Sequence, residues 1–191
     1  MKEVDSAWEA ELEGLLTRFP AAGVGECGLD KAIKADVPLE LQVEIMRRHC
    51  AIAERHGRPV TVHCVGCWGR LQEVLREFKA TPVVLHSVNS CPPEVASMIV
   101  SSQSNVFFSF TGRSLIPRVR QLIETVPGDR ILLETDSPDQ LLPSLKEMHA
   151  FNSPMNVRVA CREVALLLGV DASALATLCK ENALSIFDKK L

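Results

Sequence analysis

The chain has 191 residues, 47% of them hydrophobic, enough to bury one substantial core yet short of the ~250 residues typical of a closed (β/α)8 barrel. Lys and Arg total 21 against 24 Asp and Glu, a formal charge of −3, so no overall basic field draws the protein to a polyanion or an anionic membrane, and any such contact must be local. Seven cysteines scattered through an ordinary globular composition point to a reducing compartment without disulfides, and no apolar run approaches the length of a membrane span; a single soluble domain over residues 1–191 is expected, in the cytoplasm or alternatively the nucleus.

From Ser6 to Phe19 the apolar residues Trp8, Leu12, Leu15, Leu16 and Phe19 recur at helical spacing until Pro20 stops the run. Residues 21–25 read as a short buried strand ending at Glu26, followed by a loop through Pro38. A helix is predicted from about Leu39 to His56 with Gly57 as its stop, and Pro59 opens a second strand, Val60–His63. Trp68, Leu71, Val74, Leu75 and Phe78 mark the next helix, after which Thr81-Pro82 leads into a third strand, Val83–His86. Pro92 and Pro93 suit the first turn of a helix that turns Val95, Met98 and Ile99 inward. Residues 105–110 form a fourth strand, Leu115, Val119, Leu122 and Ile123 lie on the helix after it, and Arg130–Thr135 form a fifth strand. Residues 139–155 have no clean period and are predicted irregular. Two helices follow, about Val157 to Leu168 stopped by Gly169, and about Ser173 to Phe187 with Asp171 as N-cap.

The register of this alternation carries the fold class. His63 to His86 is 23 residues, His86 to Phe110 is 24 and Phe110 to Asp136 is 26, each close to one strand–loop–helix–loop unit of a parallel crossover. The expected architecture is α/β, a TIM-barrel-type parallel (β/α) fold that is incomplete. Edges left open near Val24 and after Thr135 must be covered by helices or by a partner chain, as in a homo-oligomer.

Four of the predicted strands end on a residue able to bind a metal: Glu26, His63, His86 and Asp136. In a parallel α/β fold the carboxyl ends of the strands face one crevice, so these four side chains are expected to converge there. Two imidazoles with carboxylates suit Zn2+, Mn2+ or Fe2+ and tolerate Mg2+, with positions left open for water. Either histidine alone reads more simply as a strand-end residue bonded to backbone. Four at the same topological position favour the metal. Arg113, just past the fourth strand at the active face, offers a forked guanidinium for a substrate phosphate. Trp68 reads as a helix anchor before a base-stacking platform, Asp30 as a turn cap before a site residue, and Cys64-x-x-Cys67 as packing under the loop before a zinc or redox pair.

The segments that carry these residues also carry a resemblance. Gly23-Val24-Gly25-Glu26-Cys27-Gly28-Leu29-Asp30, Arg58-Pro59-Val60-Thr61-Val62-His63, Leu85-His86-Ser87 and above all Leu132-Leu133-Glu134-Thr135-Asp136-Ser137-Pro138 resemble the TatD family of metal-dependent deoxyribonucleases, amidohydrolase-like TIM-barrel hydrolases. The likeness extends through Asn152-Ser153-Pro154-Met155-Asn156 and the terminal Glu181-Asn182-Ala183-Leu184-Ser185-Ile186-Phe187. It implies a phosphodiesterase acting on DNA, often from the 3′ end, with one or two divalent cations (Mg2+, Mn2+ or Zn2+). On that pattern Glu26 bridges two metals, His63 and His86 hold one of them, and Asp136 binds the other and helps activate the attacking water, which makes Asp136 and Glu26 the catalytic pair. The family's first strand, with its His-x-His pair, has no counterpart in this sequence. The expectation is therefore one retained metal site and a second that is weak or lost. Two other readings stay open: a non-catalytic binding module built on the same fold, and a related amidohydrolase acting on small esters or amides.

Overall fold

The computed structural model describes residues 7–33, 37–113, 116–147 and 150–187. Five parallel strands lie side by side in chain order: β1 (Val24–Asp30), β2 (Val60–Val65), β3 (Val83–Leu85), β4 (Val106–Thr111) and β5 (Ile131–Glu134). Each neighbouring pair is joined through a helix. These are α2 (Leu39–Arg55), α3 (Trp68–Leu75), α4 (Pro93–Ser102) and α5 (Pro117–Thr125), with α1 (Ala7–Arg18) before β1 and α6 (Val157–Leu168) and α7 (Ala172–Phe187) after β5. The sheet is the TIM-barrel-type parallel arrangement expected, with β1 and β5 at its two edges. No helix among the described residues is long and apolar enough to cross a membrane.

Alternation along the strands divides the two faces. Val60, Val62 and Cys64 of β2, Val83 and Leu85 of β3, and Val106, Phe108 and Phe110 of β4 point one way, into a core shared with Met46, Ile52, Leu71, Ile99 and Leu122 of the helices. Thr61, His63, Ser109 and Glu134 fall on the other face by the same period of two. That second face has its own small apolar cluster, in which Val84, Leu132 and Phe107 pack against Ala183 and Ile186 of α7. Asn182 of α7 is buried and donates to the carbonyls of Gly128 and Ile131, at 2.8 Å each, pinning the helix to the start of β5. The last helix thus covers part of the second face of the sheet.

Several boundaries differ from the sequence expectation, for local reasons. The first strand does not end at Glu26 but runs on to Asp30, because Gly28 lets β1 continue hard against β2: a Cβ there would fall inside the His63 carbonyl. Similarly, β2 extends to Val65, whereas β3 and β5 stop at Leu85 and Glu134, leaving His86 and Asp136 just beyond their strands. The irregular segment before α6 contains two short 3-10 turns, Pro143–Leu145 and Pro154–Asn156. Asp171 caps α7 as expected, its Oδ1 accepting from the Ala174 amide at 2.8 Å. Ser6 and Leu115, which belong to two of the predicted helices, lie outside the described residues.

Candidate metal centre

Glu26 owes its placement to a β-bulge. Val24 pairs with Val60 and Cys27 with Val62, so Gly25 and Glu26 together oppose Thr61 alone. Gly25 has φ of +137°, and a Cβ on it would sit 2.7 Å from the Thr61 carbonyl oxygen, so glycine is required for the extra residue to fit. The bulge puts the Glu26 side chain beside two imidazoles. His63 reaches the spot from the face of β2 opposite the main core, and His86 from just past β3, where its amide donates to the Val62 carbonyl at 3.0 Å.

The three side chains close a tight triangle. Glu26 Oε1 lies 3.2 Å from His63 Nδ1 and 3.0 Å from His86 Nε2, and the two ring nitrogens are 3.1 Å apart. The rings themselves are tilted by 31° with centroids 5.3 Å apart. The outward edge of each ring meets a second carboxylate. His86 Nδ1 is 3.3 Å from Glu134 Oε1, and His63 Nε2 is 3.6 Å from Asp30 Oδ2. Glu134 is itself braced, accepting from the Ser109 hydroxyl at 2.6 Å and the Ser87 amide at 2.5 Å. Asp30 is held by the Ala32 amide on its Oδ1 at 2.6 Å, so it caps a turn and reaches the site at once.

This arrangement fits a divalent cation. A histidine that ligates a metal characteristically gives its other ring nitrogen to a carboxylate, which fixes the tautomer and turns the free lone pair inward. With the ring protons on the outer nitrogens, beside Glu134 and Asp30, two lone pairs and a carboxylate oxygen face one point, an arrangement that a proton or a cation relieves. Donors around a tetrahedral ion with bonds of about 2.0–2.1 Å stand roughly 3.3 Å apart, close to the observed spacing. Burial alone draws the His86 pKa down. The hydrogen bond and charge of Glu134, helped by Glu26 and Asp136, outweigh it and hold the imidazole above its ordinary value. A positive charge is thus favoured at this point, whether a proton or a metal supplies it.

Asp136 stands outside the triangle, with its Oδ1 4.0 Å from His86 Nδ1, on the side of the ring turned away from Glu26. Its Oδ2 accepts from the Gln140 side-chain amide. The loop that carries it is tied down by Asn152, whose Nδ2 donates to the carbonyls of Thr135 and Asp139 at 2.7 and 2.8 Å. Arg113 is exposed just beyond β4, in a loop fixed by Asn89, which donates to the carbonyls of Thr111 and Arg113 at 3.0 and 2.8 Å. Trp68 is buried in the core and offers no face to a base. Cys64 and Cys67 are free and buried, and burial pushes the Cys64 thiol up to about 12, which disfavours the thiolate that metal binding or redox exchange uses. Glu134 and Gln140 went unforeseen. Glu134 ends β5 two residues after Leu132, on the face opposite the main core, and that alternation is the signal the sequence offered.

The chain matches the family described as TatD related DNase over residues 1–188. It is 30% identical to the 3′-5′ ssDNA/RNA exonuclease TatD of Erwinia tasmaniensis, an alignment covering 96% of this chain and 74% of that protein. With YabD, a metal-dependent hydrolase of Bacillus subtilis, it shares 28% identity across 98% of this chain and 72% of the other. Among solved structures, YJJV, a TatD homolog from Escherichia coli K12, superposes with a TM-score of 0.81 at 25% identity, covering 98% of this chain and 72% of that one.

Proposed function

This chain belongs to the family of TatD-related DNases, and on that premise we propose that it hydrolyses phosphodiester bonds of DNA from the 3′ end, with one divalent cation held by Glu26, His63 and His86. The observation that supports this reading is the triangle of donor atoms 3.0–3.2 Å apart whose imidazoles are both backed by carboxylates. When bound, the ion supplies Lewis acidity and makes water a competent nucleophile near neutral pH. Asp136 is assigned the proton that the attacking water loses on its likeness to the family's strand-end aspartate; its Oδ1 lies 4.0 Å from His86 Nδ1, on the edge of the ring turned away from the triangle. Arg113, exposed at the mouth, holds a substrate phosphate through its forked guanidinium.

Mg2+ and Mn2+ accept this mixed oxygen and nitrogen set, and Zn2+ suits its two imidazoles best. Among the described residues three donors gather around one point and no comparable set gathers around Asp136, so a single firmly held ion per chain is expected, any second being weak. The test is a time course on 5′-labelled single-stranded DNA with Mg2+ or Mn2+. Wild type is expected to shorten the strand stepwise from the 3′ end, and His63→Ala and Glu26→Ala to leave it intact. A wild type that binds the ion and shortens nothing would overturn the assignment.

A further inference from the structure

Gln140 sits in a segment without periodic sequence pattern, yet its side-chain amide is the point where the ends of three strands meet. Its Nε2 donates to the Asp136 carboxylate and to the Ser87 hydroxyl, the latter at 2.5 Å, and its Oε1 accepts from the Thr111 hydroxyl at 3.2 Å. Ser87 follows β3, Thr111 ends β4 and Asp136 follows β5. Both hydrogens and the oxygen of the amide are engaged, a set that glutamate, lacking donors, or leucine, lacking everything, does not reproduce. The backbone adds an independent sign. Among the described residues the non-glycine positions with positive φ are Ser87 (50°), Asp136 (56°) and Gln140 (49°), and all three belong to this one cluster. Side chains rarely tolerate that conformation unless surrounding bonds determine it, and such outliers gather where geometry serves function.

We infer that Gln140 is a positioning residue of the reaction, orienting Asp136 through its carboxylate so that Oδ2 is tied and Oδ1, 4.0 Å from His86 Nδ1, is left to accept a proton. The inference rests on the hydrolase reading above. Asp136 sits on a left-handed residue past the end of its strand, where no ladder partner fixes its rotamer, and the Gln140 amide supplies that constraint. Gln140 touches neither Glu26 nor His63 among the described contacts, so the ion does not depend on it.

Substitution of Gln140 by Leu separates the two roles. In the full chain, calorimetric titration with Mn2+ is expected to give an affinity within about threefold of wild type and KM for a single-stranded oligonucleotide is expected to hold, while kcat falls by at least about tenfold, the scale of a misplaced reacting group. Because the effect passes through Asp136, adding Gln140→Leu to Asp136→Asn is expected to lower kcat by less than about threefold further. Gln140→Asn, which keeps the amide on a shorter stem, should recover part of the turnover that leucine loses.

An unchanged kcat in Gln140→Leu, a full tenfold loss repeated in the Asp136→Asn background, or a fall in kcat that tracks a fall in Mn2+ affinity would each overturn the role. The two levels of the argument stay separable. Wild-type protein that binds Mn2+ yet shortens no strand removes the hydrolase reading and Gln140's part in it together, whereas an active wild type with an equally active leucine variant removes Gln140's part alone.

Discussion

Glu134 Oε1 stands 3.3 Å from His86 Nδ1, on the edge of the imidazole opposite the one that meets Glu26. The contact joins the ends of β5 and β3, and it decides which nitrogen of His86 carries the proton. A neutral His86 that donates through Nδ1 presents its Nε2 lone pair to the centre, which is the form a metal needs. Glu134 therefore does for the site what no residue of the triangle does for itself.

Replacing Glu134 by Ala should weaken divalent-ion binding by about 10–100-fold while leaving the three donors in place, the usual cost of losing a partner behind a ligating histidine. Glu134→Gln keeps an acceptor but drops the charge, so an intermediate loss is expected. Competition with a fluorescent chelator measures both, and unaltered affinity in the alanine variant would contradict the role given to Glu134.

The raised pKa of His86 sets a pH dependence with a definite sign. Its folded value lies above its unfolded value, so protonation of His86 stabilises the metal-free protein fully below the unfolded pKa of about 6.5, and that contribution is lost as pH rises through the folded pKa. Ion binding must displace the same proton, so ion affinity should climb over that window. Melting the chelated protein between pH 6 and 8 should show Tm falling as pH rises, and His86→Asn should flatten the decline. A Tm that rises in the parent protein would reverse the assignment.

Gly28→Ala is expected to cost more than about 3 kcal/mol, because a methyl group would overlap the His63 carbonyl and φ at this position is +151°. Urea unfolding measures the loss. The damage should reach the site as well, since the backbone pushed aside is that of an ion ligand. A cost under about 1 kcal/mol would mean that β1 and β2 are not this close.

Asn182→Ala removes the buried amide that serves two carbonyls at the head of β5, leaving both without that donor. The expected loss is about 2 kcal/mol. Because Asn182 is anchored at the end of β5 remote from Glu134, ion affinity should hold while Tm drops, and an equal fall in both would show that α7 and the metal centre are coupled.

Much of this could be read from the sequence, and what could not has physical causes. Strands and helices were legible because apolar residues repeat at two and at 3.6, and α6 spans Val157–Leu168 as predicted. Glu26, His63 and His86 could be named because each follows an apolar, β-prone run, although Glu26 and His63 lie inside their strands and His86 stands just past the end of β3. The bulge that aims Glu26 could not, since it depends on the backbone of Thr61 in a different strand meeting Gly25. Asp30 reads as a turn cap ahead of a site residue because the sequence signal for the strand stops at Glu26, four residues before the end that Gly28 makes possible. Glu134 and Gln140 depend on contacts across 47 and 53 residues, to Ser87 in both cases, which no local period encodes.

Left-handed backbone at Ser87, Asp136 and Gln140 has a cost of its own, of order 1–3 kcal/mol per residue. Glycine would rest at these positions without that penalty, so a search for thermotolerant variants should be drawn to them and should come away with sturdier proteins that turn over poorly. The crevice is where this scaffold trades durability for aim.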